Sequence, residues 1–247
     1  MYEDFACIYD LLMSDVDYEK WSRFYETLIS SYGSKISRIC ECACGTGSLT
    51  IPFYRHGYQV TGVDLSQDML WQAAQKSRRM GIMIPFVRQD MRALNLHRPV
   101  DAVIASCDGV NYLTQNEDAL SFFRCAYRSL VPGGVLAFDV STPYKITHTL
   151  CGNGLICEDR EELTYIWQNI WHEKTSTVSM DLVFFIKEND GRYRRIEESQ
   201  IQRAYDAETL RQLLECAGFT DISFYGDLTM KKPSEAEQRW HITAYRP

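Results

Sequence analysis

The residue run with the clearest chemical spacing is Glu41-Cys42-Ala43-Cys44-Gly45-Thr46-Gly47-Ser48. Gly45 and Gly47 allow a tight turn and let a ligand approach the backbone closely. Asp64 follows 17 residues after Gly47. A carboxylate there, at the end of a second strand, can accept hydrogen bonds from both ribose hydroxyls of a nucleoside. Turn and acid together predict a ribose-containing ligand at the C-terminal ends of the strands, where open α/β sheets bind ligands.

Glu41 narrows the choice of nucleoside. A carboxylate just before the turn repels a pyrophosphate and suits a ligand bearing an ammonium or sulfonium. The dinucleotide fingerprint G-x-G-x-x-G/A fails from Gly45, because Thr50 stands in the third position, and it fails again from Ala43. No G-x-x-x-x-G-K-S/T phosphate loop is present. S-adenosylmethionine carries both cations and no phosphate, so it is the nucleoside these residues favour.

The elements that must position these residues can be read from periodicity. Residues 1–33 look helical: Asp17 can cap a helix with Trp21, Phe24, Tyr25, Leu28, Ile29 and Tyr32 as its apolar positions, and Gly33 can end it. Strands then alternate with helices. The strands are expected at 38–42, 59–63, 83–88, 101–106 and 135–140; Ser66 caps one helix, and Pro132-Gly133-Gly134 stops another. Such alternation over about 140 residues argues for a parallel sheet covered on both faces, wound both ways by right-handed crossovers. After Ser141 the pattern changes. Residues 163–172, 177–187 and 192–203 read as antiparallel strands, the last two joined by Asn189-Asp190-Gly191. Asp206 then caps a helix ended by Gly218, and strands at 219–225 and 240–245 close the chain.

Composition sets outer bounds. The chain has 247 residues, 45% hydrophobic and 24% charged, an ordinary globular balance. A net charge of −7 argues against duplex nucleic acid and anionic membranes as partners. No apolar run approaches the ~20 residues needed to span a bilayer, and the acidic N-terminus is unlike a signal peptide. A cytoplasmic protein is expected. The nine cysteines fit thiols in a reducing compartment. Cys40, Cys42 and Cys44 alternate along a strand and lack C-x-x-C spacing, so no metal site is expected.

With these residues in view, the chain resembles the class I S-adenosylmethionine-dependent methyltransferases, in particular the bacterial group acting on small molecules. The motif D/E-x-G-x-G-x-G stands here as Glu41, Ala43, Gly45 and Gly47, with alanine in place of the first glycine. The resemblance implies that Asp64, with Leu65 beside it, holds the ribose, and that Gln89, Asp90 and Met91 surround the adenine. It sets Cys107 and Asp108 beside the methionine portion and the methyl group. Val131-Pro132-Gly133-Gly134 resembles the usual turn before a fifth strand. Phe5 to Asp10 and Asp17 to Trp21 resemble lid segments, so Tyr9 and Trp21 are expected over the cofactor, where aromatic faces suit a sulfonium. Ala43, Cys44 and Tyr112 complete the expected cofactor contacts, with S-adenosylhomocysteine as product.

The fold implied is a doubly wound, seven-stranded, mostly parallel Rossmann-like sheet. Residues 1–35 form an N-terminal helical lid, 36–159 and 204–247 the core domain, and 160–203 a small antiparallel β insertion. That insertion is expected to roof the acceptor site, its aromatics Tyr165, Trp167, Trp171, Phe184 and Phe185 lining a pocket or packing as its own core. No catalytic residue is assigned: in-line methyl transfer draws on proximity and orientation, and His172, Tyr144 and His241 are weak candidates for a base. An Asn-Pro-Pro-Tyr tetrad after the fourth strand and a Pro-Cys dipeptide are both absent, which lowers nucleic acid as acceptor and leaves a small molecule. A monomer or homodimer fits. The alternatives are an NAD-dependent oxidoreductase and a non-catalytic S-adenosylmethionine-binding protein.

Overall fold

The computed structural model describes residues 2–33, 35–152 and 155–247. Its main sheet contains β1 (Arg38–Cys42), β2 (Gln59–Asp64), β3 (Phe86–Arg88), β4 (Val100–Ala105), β5 (Leu130–Ser141), β10 (Thr220–Tyr225) and β11 (Arg239–Tyr245). They lie in the order β10-β11-β5-β4-β1-β2-β3. Only β11 runs against its neighbours. The chain winds outward through β2 and β3, then returns to place β4 on the other side of β1. That reversal opens a crevice beyond the carboxyl ends of β1 and β4.

Both faces of the sheet are covered, and the alternation of its strands shows how. Ile39, Ala102, Ile104, Val135 and Ala137 pack with Tyr25, Leu28 and Ile29 of α2 (Tyr18–Ser30). Cys40, Cys42, Val103, Ala105, Leu136 and Phe138 face the other way, toward α5 (Asn116–Ser129) and α6 (Ala207–Ala217). Cys40 and Cys42 thus act as small apolar core residues, as their spacing predicts.

The N-terminal helical stretch is two helices: α1 (Tyr2–Leu12) and α2, which the Asp17 carboxylate caps by accepting from the Lys20 amide at 2.9 Å. Ser66 caps α4 (Gln67–Arg79) and Asp206 caps α6, both as predicted. Two strand bounds differ from expectation. β3 begins at Phe86, three residues late, because Pro85 has no amide to donate to the ladder and Met83 is exposed. β5 begins at Leu130, with a register irregularity between the pairs Val100–Leu130 and Ala102–Val135 absorbing the Pro132-Gly133-Gly134 turn.

A second sheet has four antiparallel strands in chain order: β6 (Leu155–Asp159), β7 (Leu163–His172), β8 (Thr177–Lys187) and β9 (Tyr193–Arg203). Three of them are predicted from alternation. β6 is not, because its five residues are all at least partly exposed and carry no buried face for a pattern to mark. Gly191 closes the β8–β9 hairpin at φ +82°. Val178, Met180, Leu182 and Phe184 form the inner face with Tyr165 and pack on Phe5, Ala6 and Ile8 of α1. Trp167 and Trp171 join the same core. Tyr165, Trp167, Trp171 and Phe184 therefore belong to a core shared with α1, Phe185 lies outside that cluster, and none of the five lines the crevice. Among the described residues no helix is long and apolar enough to cross a membrane.

Candidate active site

A cleft of about 810 Å³ opens at the crevice between β1 and β4, a size typical of small-molecule sites. Its floor is the turn after β1. Ala43, Gly45 and Gly47 all adopt left-handed backbone, at φ +53°, +54° and +73°. The turn is fixed by the Cys44 amide donating to the Val63 carbonyl at 3.0 Å and the Gly47 amide donating to the Cys44 carbonyl at 2.9 Å. Left-handed backbone costs a non-glycine residue roughly 1–2 kcal/mol. The alanine at 43 therefore carries a conformational cost as well as an extra methyl group. Replacing Ala43 with glycine is expected to raise stability by about 1 kcal/mol, read as a higher urea midpoint at unchanged slope.

Two acids face this turn. Glu41 is buried; Thr50 donates to its Oε2, and Ser106 Oγ donates to its Oε1 at 3.2 Å. Burial pushes its carboxyl up to about 7. Asp64 ends β2. Its Oδ2 accepts the Gly45 amide at 2.8 Å and its Oδ1 the Ser66 amide at 2.9 Å. Burial raises its pKa too, against the pull of those amides. Among the described residues neither acid has a salt-bridge partner. Each is an acceptor in the cleft wall with hydrogen-bonding capacity to spare, since a carboxylate offers about four lone-pair sites.

Beyond β3, Asp90 accepts from the Arg92 amide at 2.9 Å and from its guanidinium. Those bonds hold its carboxyl below the usual range. Gln89 locks the loop by exchanging hydrogen bonds with the Asn95 backbone at 2.9 and 3.2 Å. The two cations of the cleft differ in their partners. Arg92 also reaches Asp118 at 3.0 Å, and Arg88 donates to the Leu65 carbonyl at 3.1 Å. A ligand phosphate would thus meet five acids (Glu41, Asp64, Asp68, Asp90, Asp118), with Arg92 held in ion pairs and Arg88 as the one cation without an acidic partner among the described lining residues.

Above the turn sits α1. Tyr9 lies over Gly45, and Phe5 joins it in the wall. The helix is tied down by Asp10, which pairs with Lys76 Nζ at 2.6 Å and accepts from Thr46 Oγ1 at 2.6 Å. Tyr18, from the first turn of α2, and Tyr112 close the far end, where Tyr112 donates to Gln200 Oε1 at 2.7 Å. Gln200 is the sole cleft residue from the second sheet among those described. Burial raises the phenols of Tyr9 and Tyr18 well above their ordinary value, so both stay neutral.

Of the expected contacts, Tyr9, Glu41, Ala43, Cys44, Gly45, Asp64, Leu65, Gln89, Asp90, Met91, Cys107 and Tyr112 converge on the cleft. Three do not. Trp21 is buried behind it, and the cation over its ring is the Arg239 guanidinium, 5.1 Å from the centroid. Gly47 faces the core instead: a Cβ there would sit 3.0 Å from Phe86 and 3.1 Å from Ala73. Asp108 turns away to Arg239 at 2.6 Å and Ser141 Oγ at 2.8 Å. Asn111 is equally occupied, by the Ser141 and Arg203 backbones. The three base candidates lie elsewhere: His172 bonds Ser179, Tyr144 stacks on His148, and His241 is buried among Trp21, Phe24 and Tyr25. Tyr18 carries a signal, the aromatic after the Asp17 cap, but spacing alone did not separate it from Trp21. Gln200 carries none.

Comparison with known proteins agrees with this geometry. Residues 39–134 match the family model described as a methyltransferase domain. A protein of Geobacillus sp. (strain WCH70), provisionally named a methyltransferase, is 35% identical over 98% of both chains. The crystal structure of an S-adenosylmethionine-dependent methyltransferase from Clostridium acetobutylicum ATCC 824 superposes with a TM-score of 0.89 at 31% identity, covering 99% of this chain and 98% of that one. The sugar N-methyltransferase KedS8 from Streptoalloteichus sp ATCC 53650 shares the fold, with a TM-score of 0.75 at 20% identity over 96% and 92% of the two chains.

Proposed function

The chain belongs to the S-adenosylmethionine-dependent methyltransferases, and from that premise we propose that its cleft transfers a methyl group to a neutral or cationic small molecule. The observation that carries the reading is the pair Glu41 and Asp64, two acids in the cleft wall with no basic partner among the described residues. Each already accepts two hydrogen bonds from the protein, but neither has a cation beside it, and a desolvated carboxylate is stabilised further when a cation or more donors reach it. S-adenosylmethionine supplies both, and when bound it contributes a methyl group on an already activated sulfonium leaving group.

In this assignment Asp64 takes the ribose hydroxyls, residues 89–91 flank the adenine, and the turn at 43–45 carries the methionine portion with Glu41 on its cationic side. Tyr9 covers the ligand and excludes water. Tyr18, Tyr112 and Gln200 line the remaining space, where the acceptor is oriented. Orientation and water exclusion supply the rate, and none of His172, Tyr144 and His241 lines the cleft. The five acids of the cleft, with Arg92 already held by Asp90 and Asp118, disfavour phosphorylated or carboxylate-rich acceptors. An amine or hydroxyl acceptor suits the cleft, and the amine case agrees with the sugar N-methyltransferase among the fold neighbours.

The test is a panel of amines, amino sugars, hydroxylated metabolites and their phosphorylated counterparts, scored by S-adenosylhomocysteine released. Turnover is expected among uncharged or cationic members. Turnover confined to phosphorylated or nucleic acid acceptors would contradict the proposed specificity.

A further inference from the structure

Directly after β4 the chain places two successive non-glycine residues in left-handed backbone, Cys107 at φ +55° and Asp108 at φ +64°. Isolated left-handed residues are common at turns; two in succession without glycine need something to hold them. Cys107 and Gly109 form part of the cleft wall, so the turn's shape is the wall's shape.

The neighbouring strand supplies the restraint. Asp139 of β5 is fully buried, and its carboxylate spans the turn: Oδ1 accepts the Cys107 amide at 2.8 Å and Oδ2 the Asp108 amide at 3.1 Å. The same carboxylate accepts the Tyr25 hydroxyl at 2.7 Å and one nitrogen of Arg239. That nitrogen also donates to Asp108 Oδ1 at 2.6 Å, and Ser141 Oγ donates to the same oxygen at 2.8 Å. Lys145 reaches Ser141 Oγ at 2.9 Å and lies 4.0 Å from Asp108. One carboxylate thus grips the turn's backbone, and one guanidinium ties that carboxylate to the turn's own side chain. Pairing of β11 with β5 brings Arg239 opposite Ser141 and so to this point. Two acids and two bases balance the cluster, as buried charge requires.

We infer that Asp139 is a positioning residue: by holding both amides of the 107–108 turn, with Arg239 as its counter-charge, it sets the cleft wall against the methionine portion of the cofactor. The inference rests on the placement of that cofactor proposed above. Neither Asp139 nor Arg239 lines the cleft, so their effect passes through the turn. A purely structural role would weaken every ligand alike. A positioning role spares the adenosine half, which the turn does not face.

The test compares S-adenosylhomocysteine with adenosine in Asp139→Asn. An asparagine presents one carbonyl oxygen and an NH₂ group, so one turn amide meets a donor instead of an acceptor. S-adenosylhomocysteine is expected to bind about tenfold more weakly or worse, and adenosine within about twofold of wild type, the scale of one lost charge-assisted hydrogen bond. Hydrogen exchange at the Cys107 and Asp108 amides is expected to accelerate in parallel. Equal losses for both ligands, or unchanged exchange at both amides, would overturn the inference. If Asp139→Asn does not fold, Tyr25→Phe and Arg239→Lys each remove part of the same cluster and are expected to show the same ligand split in milder form; no split in either would also overturn it. Should wild type bind neither ligand, the proposed function fails, and the exchange rates alone then decide whether Asp139 holds the turn.

Discussion

Asp64→Ala is expected to weaken S-adenosylmethionine binding at least about a hundredfold while leaving the protein folded. Two hydrogen bonds from ribose hydroxyls to an ionised carboxylate are worth about 1.5–3 kcal/mol each, and about 2.7 kcal/mol is a hundredfold. The substitution also strands the Gly45 and Ser66 amides that the carboxylate now accepts, so the turn beneath the ligand loosens with the contact. Asp64→Asn keeps one acceptor oxygen and should fall between. Calorimetric titration with circular dichroism of each variant reads both effects. Near wild-type affinity in a folded Asp64→Ala would place the ribose elsewhere.

Glu41→Gln is expected to change the pH dependence of both stability and binding. Without ligand, burial raises the carboxyl from its ordinary 4.5 to about 7. Between those values the folded chain holds a proton that the unfolded chain has lost, so stability falls as pH rises through the window. The full effect is roughly 3 kcal/mol. The glutamine variant lacks this slope, and the wild type minus variant difference isolates Glu41 from Asp64, whose carboxyl is also raised by burial. Ligand binding shows the opposite sign. A cationic ligand favours the carboxylate, so wild-type affinity should rise by up to about tenfold per pH unit below pH 7, with proton release, and flatten above it. Denaturation and calorimetry at pH 6 and pH 8 measure both. Parallel pH profiles for the two proteins would remove Glu41 from the ligand's electrostatics.

The parts of the fold set by local chemistry were readable in the sequence. Asp17, Ser66 and Asp206 cap the helices their spacing marks, and Gly191 and Gly218 end their elements. β4 carries the apolar run Ala102 to Ala105, so its burial on both faces was visible as well, whereas Glu41 and Asp139 interrupt β1 and β5 with the acids that serve the site and its turn. The losses come where tertiary pairing decides. β6 has no fully buried residue to mark it and pairs along the edge of β7. The site divides in the same way. Glu41, Gly45 and Asp64 could be identified because strand ends and a glycine turn fix them in space. Trp21 and Tyr18 share one helix three residues apart, and only the packing of α2 under Arg239 sends Trp21 to the core and Tyr18 to the cleft. Asp108 looks like a cleft residue because its position in the chain is right; its φ of +64° and its pairing with Arg239, 131 residues away, turn the carboxylate away from the cleft into the cluster around Asp139. Gln200 reaches the cleft through a hairpin remote in sequence, and no local pattern points to it.

The central claim is that the cleft between β1 and β4 holds the cofactor with its ribose on Asp64. A crystal structure of the protein grown with S-adenosylhomocysteine tests it most directly. The expected result is density in the cleft with the ribose hydroxyls on the Asp64 carboxylate, the adenine beside Asp90 and Met91, and the amino acid portion over Ala43 to Gly45. Density at another site, or in the cleft with Asp64 out of hydrogen-bond reach of the ribose, would contradict the account.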